Sequence, residues 1–478
     1  MFTPIFAFSL WQSFFVYLIL FVFGALLGAA VTWYVDKFGW IARFRSPWRK
    51  SDKLQKCWSD FIPIYGWFQL RRFGKDLHKL PSSELVAGIE SKGFWIRPML
   101  VELFVAIGLV LLYWWEVGSR GLLCELEFVE SAETAIIRFI AHVILLLLLL
   151  AASLTDLDDF IIPANLTIAG TIVGLIFVTV FPQAMLPATE LYFDQNNKSE
   201  FASVRLTPYP VPLHFCSPDQ VDVLRYYKSG VERATKTEKN ELAMSDSNFR
   251  NKNSNFDLGV QFFIFTCFWL FWCFSMMDRI WYSRLSFRRA FLLFLRNLSR
   301  SPRTKYWLLL SVIVPVILFV LMFYTTFLGE LNRHYLMTGF IGLFAGMWLI
   351  WTVRLVAGYV LGVEAMGFGD VVLLGMVGVF VGWQSCIVIF FVAPFAGIIP
   401  SLIVLLFGHG RRIPYGPFLS LATLLIIIFW SPIWRTIEPI LFQSSIQVAI
   451  TTQILILLLG VMLYCWRKIK AYFFVTVS

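Results

Sequence analysis

Met366-Gly367-Phe368-Gly369-Asp370, followed by the uncharged run 371–407, decides how this chain is read. An ionised carboxylate beside hydrocarbon is expensive, so acids at the mouths of apolar segments are rare and usually functional. The flanking glycines let backbone and substrate come close. The run that follows is too long for one membrane crossing at 1.5 Å per residue. Gly382-Trp383-Gln384 interrupts it, which predicts two crossings, the first of them short. A second acidic cluster, Asp156-Leu157-Asp158-Asp159, stands in the same relation to another apolar run.

Outward from these two points the chain is apolar for most of its length. Of 478 residues 58% are hydrophobic, and the mean hydropathy is +0.73. A soluble domain is nearer half apolar. Recurrent runs of roughly 20 apolar residues predict an all-α, polytopic transmembrane bundle of about eleven helices, with a small cytoplasmic domain and an extracytoplasmic insert. The net charge of +10 is carried in loops. It reads as anchoring to the inner leaflet of the lipid bilayer by the positive-inside rule, so no nucleic-acid partner is expected. The seven cysteines include no C-x-x-C pair, which removes the usual zinc signature. Cys124 and Cys216 could both face an oxidising compartment and pair; two free thiols is the plainer alternative.

The expected organisation is a first transmembrane helix in 1–35, retained rather than cleaved, then a basic cytoplasmic domain in 36–97. Transmembrane helices over 98–181 carry Asp156, with Glu116 in a short acidic loop and Pro163 opening a helix. Residues 182–257 break the composition and read as an extracytoplasmic insert, partly disordered around 229–256. An extra helical hairpin follows in 258–335, holding the arginine-rich loop 279–306 that fixes the topology. Transmembrane helices in 336–430 carry Asp370, and a C-terminal loop and helix complete 431–478.

Counting crossings brings Asp156 and Asp370 to one cytoplasmic face. A carboxylate pair sharing a proton can activate water with one member and protonate a leaving amine with the other. Each acid has a plainer reading beside this. Asp158 and Asp159 suit an N-cap for the helix near Pro163, and Asp370 suits a cap for the helix that follows it. Glu102 fits an interfacial charge paired with Arg97. Glu364 fits interfacial solvation near Asp370. His142 fits a buried, hydrogen-bonded histidine, and Arg354 a side chain that snorkels or pairs with an acid.

Gly367-Phe368-Gly369-Asp370-Val371-Val372-Leu373-Leu374, with Gly378 and Gly382-Trp383, resembles the G-x-G-D box of type IV prepilin peptidases. Ser153-Leu154-Thr155-Asp156-Leu157-Asp158-Asp159 through Pro163 is similar to that family's first aspartate box. Ile413-Pro414-Tyr415-Gly416-Pro417-Phe418-Leu419 resembles a later run. Asp60-Phe61-Ile62-Pro63-Ile64 with Trp67, and Arg97-Pro98 through Leu103, resemble the family's cytoplasmic domain and its exit. The resemblance implies catalytic Asp156 and Asp370, supported by Gly367, Gly369, Asp158 and Glu102. It implies cleavage of prepilins and pseudopilins after the glycine preceding their apolar helix, at the inner membrane of a bacterium. Proteolysis would need no cofactor. In many members the same protein methylates the new N-terminus from S-adenosylmethionine, and Glu102 matches a plausible methyl-transfer residue.

Three departures stand out. The family's paired cysteines are missing from 36–97, where only Cys57 occurs, and Asp52, Asp76, His78 and Glu84 make no credible replacement. A domain without zinc is expected, which leaves methylation more in doubt than cleavage. The two aspartates lie 214 positions apart, far more than the family usually shows; two extra crossings keep them on one face. The final helix is additional. Two other functions compete with the peptidase: a non-catalytic pilus or secretion assembly factor using 182–257 as a docking module, and a proton-coupled transporter, which would want acids near mid-span.

Overall fold

A computed structural model describes residues 10–38, 62–70, 95–122, 132–181, 184–186, 188–192, 203–207, 287–324, 330–362, 366–407, 414–443 and 445–474, with helical pieces between 262 and 274. The chain starts with α1 (Leu10–Phe38) and the short α2 (Tyr65–Leu70). Next come α3 (Ile96–Tyr113), which widens into a π-helical turn at Trp114–Gly118, α4 (Ala132–Asp159) and α5 (Ala164–Val180). Two strands, β1 (Ala188–Tyr192) and β2 (Ser203–Thr207), pair antiparallel. The second half contains α6 (Phe287–Arg300), α7 (Pro302–Tyr324), α8 (Glu330–Leu361) and α9 (Phe368–Phe407). It closes with α10 (Gly416–Ile428), α11 (Trp430–Gln443) and α12 (Ser445–Phe474).

Among the described residues six helical stretches are long and apolar enough to cross a membrane: Phe14–Phe38, Ile96–Gly118, Ala132–Asp159, Thr338–Leu361, Phe368–Leu402 and Ile450–Ile469. The expected count of about eleven is not confirmed by the described residues. The span read at 259–278 is described only in pieces. With 17 residues, α5 is about 26 Å long against a hydrocarbon core of roughly 30 Å. The apolar part of α7 and all of α10 are shorter still. Residues 431–443, read as loop, belong with Trp430 to α11. Among the described residues the strand pair is the one departure from an all-helical reading, and the rest of 182–257 lies outside them apart from 184–186. Cys57, Cys124, Cys216 and Glu364 lie outside them too, so the possible Cys124–Cys216 pairing is not addressed.

Helix α9 is the centre of the bundle. Every residue from Asp370 to Cys386 is buried, enclosed by α5, α8 and α10. The predicted interruption is at Gly382, whose φ of 85° and ψ of 174° only glycine adopts readily, and it splits α9 into two helices. In lipid there is no hydrophobic drive between helices, so they associate by close packing over small residues. Helices α8 and α9 cross in backbone contact, and a methyl group at Gly342 would strike the carbonyl oxygen of Gly378. The α1–α3 crossing repeats the device. A Cβ at Gly28 would lie 2.7 Å from the Cα of Glu102.

Candidate active site

Asp156 stands one turn before the C-terminal end of α4 and is buried, 5% exposed. The helix stops because Phe160 turns to a positive φ of 55°, its N–H still donating to the Asp156 carbonyl at 2.9 Å. Across the bundle, the first residue of α10 donates its backbone N–H to the carboxylate, Gly416 N to Asp156 Oδ2 at 3.2 Å. A helix N-terminus offers unpaired N–H groups and a positive dipole end, which suits an acid. A side chain here would push the carboxylate aside, since a Cβ at Gly416 would sit 2.6 Å from Asp156 Oδ2.

Asp370 lies in the first turn of α9, 6% exposed. Its carboxylate accepts the backbone N–H of Gly367. An N3 acid reaching back to the N-cap amide is half of a capping box. Asp370 is thus not the N-cap that the plainer reading expected; the helix begins at Phe368 and Asp370 satisfies the cap amide from inside its first turn. It also lies within electrostatic reach of Asp156 and of Arg354 on α8. The Arg354 guanidinium is itself 5.9 Å from the Phe368 ring centroid.

Ile162 unites the two halves. It belongs to the short link between α4 and α5. A Cβ at Gly369 would come within 2.9 Å of Ile162 Cβ, and one at Gly416 within 3.1 Å of its Cδ1. One side chain thus packs on the glycine beside each acid. Tyr415, immediately before α10, is half-buried. Burial pushes its phenol above the usual tyrosine range, and the Asp370 charge adds to this. Its hydroxyl lies within electrostatic reach of Asp370. Sequence reasoning passed over Ile162 and Tyr415; only their position in recognisable boxes could have pointed to them.

The other expected residues are placed differently. Asp158 pairs with Arg97 at 2.5 Å, tying the end of α4 to the start of α3. Neither Asp158 nor Asp159 caps α5, whose N-cap position is Pro163. Arg97 is thus engaged by Asp158 rather than Glu102. Glu102 is 1% exposed and takes the Ile64 backbone N–H at 2.5 Å and the Trp67 indole N–H at 2.7 Å. Its role is to bind the segment around α2 to α3. Glu116 is not in a loop. The π-helical turn carries it inward to meet His142 of α4 at 2.7 Å, a buried pair as the bland reading of His142 expected. Among the described residues no cluster of three or more His, Cys, Asp or Glu could hold a metal ion.

The fold and the site together define a class: an acid pair brought together at one end of a helical bundle built for a membrane. Comparison with known proteins leads further. Residues 291–402 match the model of the Type IV leader peptidase family. The chain is 31% identical over 98 residues to the prepilin leader peptidase/N-methyltransferase of Aeromonas salmonicida (strain A449), covering 20% of this chain and 34% of that protein. It is 33% identical over 90 residues to the protein of that name from Pseudomonas aeruginosa, covering 18% and 31%. With that of Burkholderia pseudomallei (strain 1026b) it shares 29% over 97 residues, covering 20% and 31%. The matches thus span about a third of the length of these relatives. No solved structure matches the chain. The resemblance drawn from the aspartate boxes is supported by these relatives. Asp370 falls within the matched stretch and Asp156 outside it.

Proposed function

We propose that this chain is a membrane-embedded aspartic endopeptidase that removes leader peptides from type IV prepilins and related pseudopilins. One observation carries the reading: Asp156 and Asp370, 214 positions apart, come within electrostatic reach of each other. The basic charge of 36–97 and 279–306 favours the cytoplasmic face of a bacterial inner membrane for this end of the bundle. A prepilin keeps its basic leader on that side, so the scissile bond arrives level with the acids.

One acid, ionised, takes a proton from water as the water oxygen attacks the scissile carbonyl. The other, protonated, gives its proton to the leaving amine. The Gly416 amide holds Asp156 and the Gly367 amide holds Asp370, so neither carboxylate must reorganise as charge develops. Methylation of the new N-terminus, part of the relatives' names, is not routed through Glu102. Each of its oxygens already accepts a bond, from Ile64 and Trp67, and the residue is 1% exposed, which favours a structural role over contact with S-adenosylmethionine or a substrate amine.

The test is purified protein in detergent with a prepilin, with and without S-adenosylmethionine, read by mass spectrometry. Leader loss is expected, and a methyl gain would register separately. Asp156→Ala and Asp370→Ala should each stop cleavage while the protein stays in the membrane. Cleavage retained by either variant rules out the pair.

A further inference from the structure

We propose that α6 is a docking surface for anionic lipid headgroups and lies in the plane of the membrane interface. Its sequence, FRRAFLLFLRNLSR, holds four arginines and no acid. At helical spacing Phe287, Phe291, Phe294 and Leu298 share one side, and Arg289, Arg296 and Arg300 the opposite one. Fourteen residues make about 21 Å of helix, too short and too charged to cross a bilayer.

Phe291, Leu292 and Leu295 are 48%, 58% and 46% exposed, and Arg288, Arg289 and Arg300 are exposed beside them. Contiguous apolar side chains in the open mark a surface that something covers. The main packing of α6 among the described elements is against α7. Helix α7 begins at Pro302, one residue beyond the end of α6, and its apolar stretch starts at Thr304. The chain therefore delivers α6 to the edge of a hydrophobic segment with an apolar side and an arginine side. That is the construction of a helix bedded in the headgroup boundary. Charge selects the lipid, because the planar guanidinium pairs with phosphate and an anionic leaflet attracts it. The inference is independent of the catalytic reading.

The test uses full-length protein in nanodiscs of phosphatidylcholine alone, or of phosphatidylcholine with phosphatidylglycerol. Amide exchange over 287–300 is followed by mass spectrometry. The anionic discs should slow exchange by about tenfold or more, since each arginine contributes roughly fivefold in affinity near such a surface. Salt near 1 M, where the screening length is about 3 Å, should remove much of the difference. The triple variant Arg288→Gln, Arg289→Gln, Arg300→Gln should lose most of the lipid dependence. Inorganic phosphate added to phosphatidylcholine discs should leave exchange unchanged. Equal exchange in both discs overturns the proposal. So does protection that free phosphate reproduces, or that rises with the number of protein copies per disc, which would make the occupant a second chain. The lipid comparison on the unaltered protein needs no variant to fold.

Discussion

Helix α4 buries ionisable groups toward each of its ends, and the two are built on opposite principles. His142, in the half of the helix that starts at Ala132, meets Glu116 with side-chain exposures of 0% and 1%. An acid and a potential cation are matched there, side chain to side chain. About 21 Å along the same helix, Asp156 faces a second acid, and its carboxylate accepts a backbone amide brought in by α10. A matched pair gives each member a partner, although Glu116 Oε2 and His142 Nε2 stay buried without one. An unmatched pair must be held together by the framework, because the acids alone would separate. Burial by itself therefore says little about chemistry in this molecule; what the buried group faces says more.

The comparison can be broken most directly at the unmatched end. Asp370→Asn or Asp156→Asn should lower cleavage on the order of 10³-fold, with little change in the thermal midpoint in detergent. A large loss of stability with activity kept would reverse the assignment of the two ends. The matched end should behave the other way. Glu116→Ala strands His142 in the interior and should cost about 3 kcal/mol of stability. Protein that remains folded should still cleave, and Glu116→Leu with His142→Leu should recover most of the loss, read by thermal melting. Gly416→Ala sharpens the point about framework. It forces Asp156 aside and should lower kcat about tenfold, because small misplacements of reacting groups are costly. Arg97→Ala should do least. Its side chain is 43% exposed, so losing the bond to Asp158 should shift stability by less than about 1 kcal/mol.

Much of this was legible from residue order. The two aspartate boxes, their return to one face and the interruption at Gly382 follow from apolar run lengths, charge and glycine. The partners of the acids do not. The Gly416 amide meets Asp156 from 260 positions away, and a backbone donor leaves no trace in side-chain chemistry. Glu116 reads as a loop acid because a π-helical turn, not a sequence pattern, rotates it inward. Glu102 suggests chemistry by its match to a family box, yet the Trp67 indole that occupies it comes from a separate short helix. Residues 431–443 read as loop because two prolines and mixed polarity hide a helical face.

Ile162 also constrains how this site can drift over generations. Because one side chain fills the space beside both Gly369 and Gly416, an alanine at either glycine meets the same obstacle. The atom met at Gly369 is the Ile162 Cβ, which every residue but glycine keeps, and at Gly416 the Asp156 carboxylate stands closer still, so a smaller residue at 162 alone would free neither position to change.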